Sequence, residues 1–124
     1  MDIYNYIIDG IPIAVSSTTY DNRRFWNDHQ QKRLQYRLSL EKQHNSSPLA
    51  CPITLQFIFY FPLKNNKKLQ GCPYAKSPTI DSLIVYMERA CTGILFRKGV
   101  TISSLYAKKL YDAHPRTELT MSTL

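Results

Sequence analysis

Apolar and polar positions change their period several times along the 124-residue chain, and each change marks an element. Ile3 to Asp9 is a short apolar, aromatic-rich run closed by Gly10 and Pro12, the pattern of a strand. Thr18 to Trp26 is polar and without period, which reads as a loop. From Asn27 the stretch NDHQQKRLQYRLSLEKQH holds helix formers throughout and sets Leu34 and Leu38 on one face. Asp28 with Gln31, or Asn27 with Gln30, offers a capping box, and the helix is expected to end near His44, before NSSP. The run ITLQFIFYF then alternates cleanly. Ile53, Leu55, Phe57, Phe59 and Phe61 face one way, while Thr54, Gln56, Ile58 and Tyr60 face the other, which predicts a central strand closed by Pro62.

Asn65 to Tyr74 has loop composition, with Lys64, Lys67 and Lys68 near its start. A second helix follows, burying one side through Leu83, Ile84, Met87, Cys91 and Ile94. Thr79 is its expected N-cap after Pro78, and Gly93 weakens it near its end. Two more strands, TISSLYAKKLY and RTELTM, are joined by DAHP, which has turn composition. The order β-α-β-α-β-β carries no repeat and no low-complexity segment. It predicts an α/β fold: a single small domain over residues 1–124, with helices packed on one mixed sheet.

Charge narrows the class of partner. Sixteen Lys and Arg against nine Asp and Glu give a net charge of +7, which favours a polyanion. Three cysteines, Cys51, Cys72 and Cys91, lack C-x-x-C spacing, and His29, His44 and His114 are scattered singly, so neither a disulfide framework nor a zinc site is expected. There is no run of about 18 apolar residues, so no membrane span is expected. The opening MDIYNYIIDGIPIAV carries Asp2 and Asp9 and lacks a basic leader region, which argues against a signal peptide and for a cytoplasmic location. Ser16 and Ser17 have no histidine at a telling spacing, Cys72 has no identifiable base, and Gly10 and Gly71 do not make a phosphate-cradling loop.

Three stretches carry a resemblance. The ending LYAKKLYDAHPRTELTM pairs a strand and Lys-Lys with a turn and "PRTE", KSPTIDSL opens the second helix, and IIDGIP sets a strand before G-x-P. In this order and spacing, from about Tyr4 to Met121, the chain resembles the RusA family of Holliday junction resolvases, small homodimeric, magnesium-dependent endonucleases of phages and bacteria. The resemblance implies a RusA-like homodimer acting on branched DNA in recombination and repair. The family's K-x-P-D-x-D-N-L maps onto Lys76 to Leu83.

The departures fall on the chemistry. Family members open the second helix with two aspartates one residue apart, add a lysine one turn on and acidic residues in the following turn, and hold magnesium on the carboxylates. Here Thr79 stands at the first aspartate, Asp81 at the second, Ser82 at the asparagine, Val85 at the lysine, and Lys98 and Gly99 at the two acidic positions after the helix. Asp81 is thus the remnant of the catalytic and metal-binding set, or simply a charge suited to a helix N-terminus. By the same spacing the R-P-R after G-x-P becomes Ser17, Thr18 and Thr19.

The candidate DNA-binding residues are Arg23, Arg24, Lys76, Lys108 and Lys109, with Lys64, Lys67 and Lys68 extending the basic inventory. Phe25 and Trp26 would wedge against bases or pack on the first helix. The expected function is binding of junction or structured DNA with impaired cleavage. An active resolvase with a rebuilt magnesium site, and a protein-interaction module on the same dimer fold, are the alternatives. Dimerisation is expected because the apolar strand Ile53 to Phe61 and the aromatic-rich loops offer more apolar surface than one short sheet covers.

Overall fold

The computed structural model describes residues 1–15 and 23–123, with the side chains of residues 23–29 outside that description. The element order is β1 (Ile3–Asp9), α1 (Arg23–Gln43), β2 (Ile53–Pro62), α2 (Ile80–Cys91), β3 (Ile102–Asp112) and β4 (Arg116–Thr123), as the alternating patterns predicted. One four-stranded sheet runs in the order β1-β4-β2-β3. β2 pairs antiparallel with β4 but parallel with β3, so α2 is the crossover that a parallel pair requires. The fold is a small mixed-sheet α/β domain.

Period-2 alternation on β2 fixes where the core sits. Ile53, Leu55, Phe57 and Phe59 are fully buried and Phe61 nearly so. They form one cluster with Tyr6 and Ile8 of β1, Leu119 and Met121 of β4, Tyr36 and Leu40 of α1, and Leu83, Tyr86, Met87, Ala90 and Cys91 of α2. Both helices therefore cover the same face of the sheet. The apolar side of β2 is buried within one chain, so it supplies no reason for a dimer. On the opposite face lie Ile3 and Ile7 of β1, Ile58 and Tyr60 of β2, Tyr106, Lys108 and Leu110 of β3, and Glu118 of β4. None of these is fully buried.

The first helix departs from its reading. It begins at Arg23, four residues before Asn27, so neither pair read as a capping box stands at its start. Its core-facing residues are Tyr36 and Leu40, whereas Leu34 and Leu38 share a face but point to solvent, 58% and 51% exposed. Tyr36 meets Tyr86 edge-on at 5.6 Å, and Arg37 reaches between the helices. Its Nη1 donates to the carbonyls of Arg89, Ala90 and Thr92 at 3.2, 3.1 and 2.8 Å. A cation at these last-turn carbonyls satisfies acceptors that a helix end leaves open and suits the negative end of its dipole. The aliphatic periodicity found the helix but misplaced its buried face, which is built from Tyr36 and Leu40 with the Arg37 stem beside them.

Two polar groups lie under the sheet and differ in kind. The buried ring of His44 accepts from the Tyr6 hydroxyl at Nδ1, 2.7 Å away, and places Nε2 3.2 Å from the Ser47 carbonyl. A carbonyl can only accept, so Nε2 carries the proton and Nδ1 takes the tyrosine's. Thr117 is as buried as its neighbours, yet its Oγ1 has no hydrogen-bond partner among the described residues. Opposite signs follow for two conservative changes. Tyr6→Phe strands a buried acceptor and should cost about 1–2 kcal/mol, while Thr117→Val removes an unpaired hydroxyl and should be neutral or stabilise by up to about 1 kcal/mol. Urea denaturation of the two variants checks the pair.

Candidate nucleic-acid interface

The parallel pair ends at one edge of the molecule, and the segment between β2 and α2 folds over that edge. Leu63 to Asn66 is a tight turn closed by the Asn66 amide on the Leu63 carbonyl at 3.2 Å. Its two central residues, Lys64 and Asn65, both have positive φ, +49° and +69°. Asparagine tolerates that region, but a lysine there costs about 1–2 kcal/mol relative to ordinary backbone. Lys67–Leu69 makes a single 3₁₀ turn. The chain then runs antiparallel to the end of β3, with Tyr111 donating its amide to Cys72 and Tyr74 donating to Lys109.

Lys109 anchors the segment that leads into α2. Its Nζ donates to the carbonyls of Lys76 and Pro78, each at 2.7 Å, on either side of the Ser77–Pro78 cis peptide. The same ammonium lies 5.4 Å from the Tyr74 ring centre, and Tyr74 stacks on Phe61 at 4.1 Å. Tyr74 also donates its hydroxyl to the Ser77 carbonyl at 3.3 Å. The backbone carrying Lys76 is therefore fixed from below, while the Lys76 side chain is exposed. A cleft of about 230 Å³ opens between the turn and this segment, lined by Lys64, Asn66, Leu69, Tyr74, Lys76 and Tyr111 among others. Among the described residues neither lysine has an acidic partner.

Lys108 and Lys109 do not share a surface. Adjacent residues on a strand point to opposite faces. Lys109 pairs with Phe59 on the helix side, and Lys108 pairs with Ile58 on the open side. Of the other candidate cations, Lys76 reaches the cleft, and the side chains of Arg23 and Arg24, with those of Phe25 and Trp26, lie outside the described residues, as do Ser17, Thr18 and Thr19 altogether. Lys64 and Asn66 carry the cleft with Lys76; the sequence places Lys64 in the basic inventory but marks Asn66 only as loop composition. A lysine ahead of two asparagines where a strand stops was the available signal.

Asp81 stands in the first turn of α2, with Thr79 as N-cap. Its carboxyl is held below the ordinary carboxylate range chiefly by the Thr79 hydroxyl, with desolvation opposing and the amides of Ser82 and of Asp81 itself adding to the lowering. Thr79 has a single hydroxyl proton, so it accepts from Ser82 across their 2.7 Å contact while donating to Asp81. The Lys98–Gly99 turn lies elsewhere. A methyl group at Gly99 would collide with the Glu88 carboxylate, and Glu88 is seven residues and about 10 Å along the helix axis from Asp81. Among the described residues no group of His, Cys, Asp and Glu lies together so as to hold a metal ion. A lone carboxylate fits magnesium poorly, because that ion takes several oxygen ligands.

The "PRTE" ending serves the hairpin between β3 and β4. Asp112 receives the His114 amide at 2.9 Å, Arg116 Nη1 at 2.7 Å and the Gln70 side-chain amide. Arg116 in turn reaches Glu118 and lies over the Tyr60 ring at 3.9 Å. Of the thiols, Cys91 is wholly buried and burial pushes it well above the ordinary range, which makes it no nucleophile. The chain matches no family model and no curated protein sequence. No helix among the described residues is long and apolar enough to cross a membrane.

Two outcomes test this edge. The His114 amide, then Arg116 and Gln70, hold Asp112 below its ordinary 3.8. Such a group stabilises the fold above the unfolded-state value and loses that contribution as pH falls through the lower folded one. Denaturation of Asp112→Asn should therefore show a deficit against the unmodified chain at neutral pH that closes as the pH drops below 3.8. Lys109→Met keeps the stem but removes the donors to two carbonyls, and should cost about 1–2 kcal/mol of unfolding free energy by the same method.

Proposed function

We propose that this chain is a RusA-like homodimer that binds branched or otherwise structured DNA, as in recombination or repair, and that has lost efficient magnesium-dependent cleavage. The observation that carries the reading is the lysine-bearing edge between β2 and α2. Lys64, Lys67, Lys68 and Lys76 are exposed there without acidic partners among the described residues, on a chain of net charge +7. Phosphate contacts depend on charge more than on base sequence, so such an edge suits the backbone of any DNA strand. Loss of cleavage rests on Asp81, whose carboxylate has no acidic neighbour that could complete a metal site among the described residues. The second copy would cover the open sheet face, where Ile3, Ile7 and Tyr106 are 57%, 51% and 56% exposed.

A labelled four-way junction titrated at increasing salt tests the reading. Affinity should fall steeply, with a log–log slope near 0.9 for each phosphate neutralised. Lys67→Glu with Lys68→Glu should weaken binding to all DNA sequences alike, and sedimentation of the same protein should give a dimer. Asp81→Asn should bind as well or slightly better, since a negative charge is removed. Unchanged junction affinity in the folded double variant would favour a protein-interaction role, and a concentration-independent monomer would remove the dimer. Strong cleavage in magnesium that disappears in Asp81→Asn would restore the active-resolvase alternative.

A further inference from the structure

The cleft holds more than diffuse charge. Its two cations are carried on backbone that is fixed independently of any ligand, Lys64 by a closed turn and Lys76 by the carbonyl contacts of Lys109. Lys64 occupies φ +49°, where glycine or asparagine would be the ordinary residue. A lysine at such a position points to a use for its ammonium, since the turn itself gains nothing from it. The walls are aromatic and aliphatic, with Tyr74, Tyr111 and Leu69, and Asn66 adds an amide able both to donate and to accept. At about 230 Å³ the cleft is smaller than sites that enclose a whole drug-sized ligand, and suits one compact unit with an anionic end and an apolar body.

We propose that this cleft binds a single nucleoside monophosphate unit, its phosphate between Lys64 and Lys76 and its sugar or base against Tyr74 and Tyr111. The unit is either the phosphorylated end of a DNA strand or a free nucleotide. A terminal phosphate carries nearly two negative charges near neutral pH, against one for an internal diester, so a cleft lined by two lysines favours the monoester. The strand-end form rests on the DNA-binding reading, and the free-nucleotide form does not.

Calorimetric titration of the full chain with deoxythymidine 5′-monophosphate tests it. Saturable binding is expected, with thymidine and inorganic phosphate each weaker by about tenfold or more, since each offers only half of the contacts. Lys64→Gly should lower that affinity while leaving the melting temperature unchanged or raised, because glycine suits the turn, and Lys76→Gln should lower it without unfolding the chain. An oligonucleotide bearing a 5′-phosphate that binds tighter than its 5′-hydroxyl form assigns the site to strand ends; equal binding of the two, beside clear mononucleotide binding, assigns it to free nucleotides. Absence of saturable binding, inorganic phosphate binding as tightly as the nucleotide, or unchanged affinity in Lys64→Gly overturns the proposal. Intact four-way-junction binding beside a failed nucleotide titration would remove the cleft and leave the DNA-binding reading standing.

Discussion

The parallel register of β2 and β3 is the constraint on which the rest of the molecule depends. Two strands that run the same way cannot be joined by a hairpin, so the chain must return the length of the sheet before β3 begins. Here α2 makes that return over the buried side of β2. The strands then finish together, and the connection from Leu63 to Thr79 must start and end at that shared edge. In open sheets this is where ligands gather, because the loops there are free of the ladder and the strand ends hold them in place. The cleft between Lys64 and Lys76 is a consequence of connectivity before it is a matter of charge.

A crossover helix is useful as a support only if its ends are held. The carbonyl end of α2 is bound by Arg37 from the neighbouring helix, and the chain leading to its amide end is bound by Lys109 from the strand beneath. Asp81 lies at the end where a negative charge is favoured and Arg37 at the end where a positive one is. Both assignments agree with the dipole, so the residues around α2 are explained by the helix before any ligand is considered. That agreement argues for reading Asp81 as a helix-terminus charge, and it leaves the exposed lysines of the preceding segment without a structural task of their own.

The strands were legible because their signal is local. Ile53 to Phe61 alternates with a period that only a sheet with one covered face would require, and the buried set matched it residue for residue. α2 was legible for a similar reason, through the spacing of Leu83, Met87 and Cys91. α1 was legible as a helix with its end near His44, but its start and its buried face were not, since it meets the core through Tyr36 and Leu40 while Leu34 and Leu38, which carried the reading, face outward. Pairing partners, the parallel sense of β3 and the carbonyls that Lys109 holds depend on contacts between residues far apart in sequence, and no period along the chain encodes them.

Lys108 and Lys109 show how far a motif can mislead about surface. Read as a pair, they suggest a doubled positive patch. On a strand, neighbouring side chains diverge, and here one goes to the open face while the other turns under the helix approach to hold two carbonyls. An ammonium so occupied has few donors left for phosphate. Its effect on a polyanion would be exerted through Lys76, whose backbone it fixes. The positive surface is instead assembled from Lys64, twelve residues upstream of Lys76, in a turn whose strain falls on the lysine itself. Of the two motif lysines on β3, Lys109 serves the scaffold, and the charge at the cleft is presented by Lys76 and by a lysine in a turn.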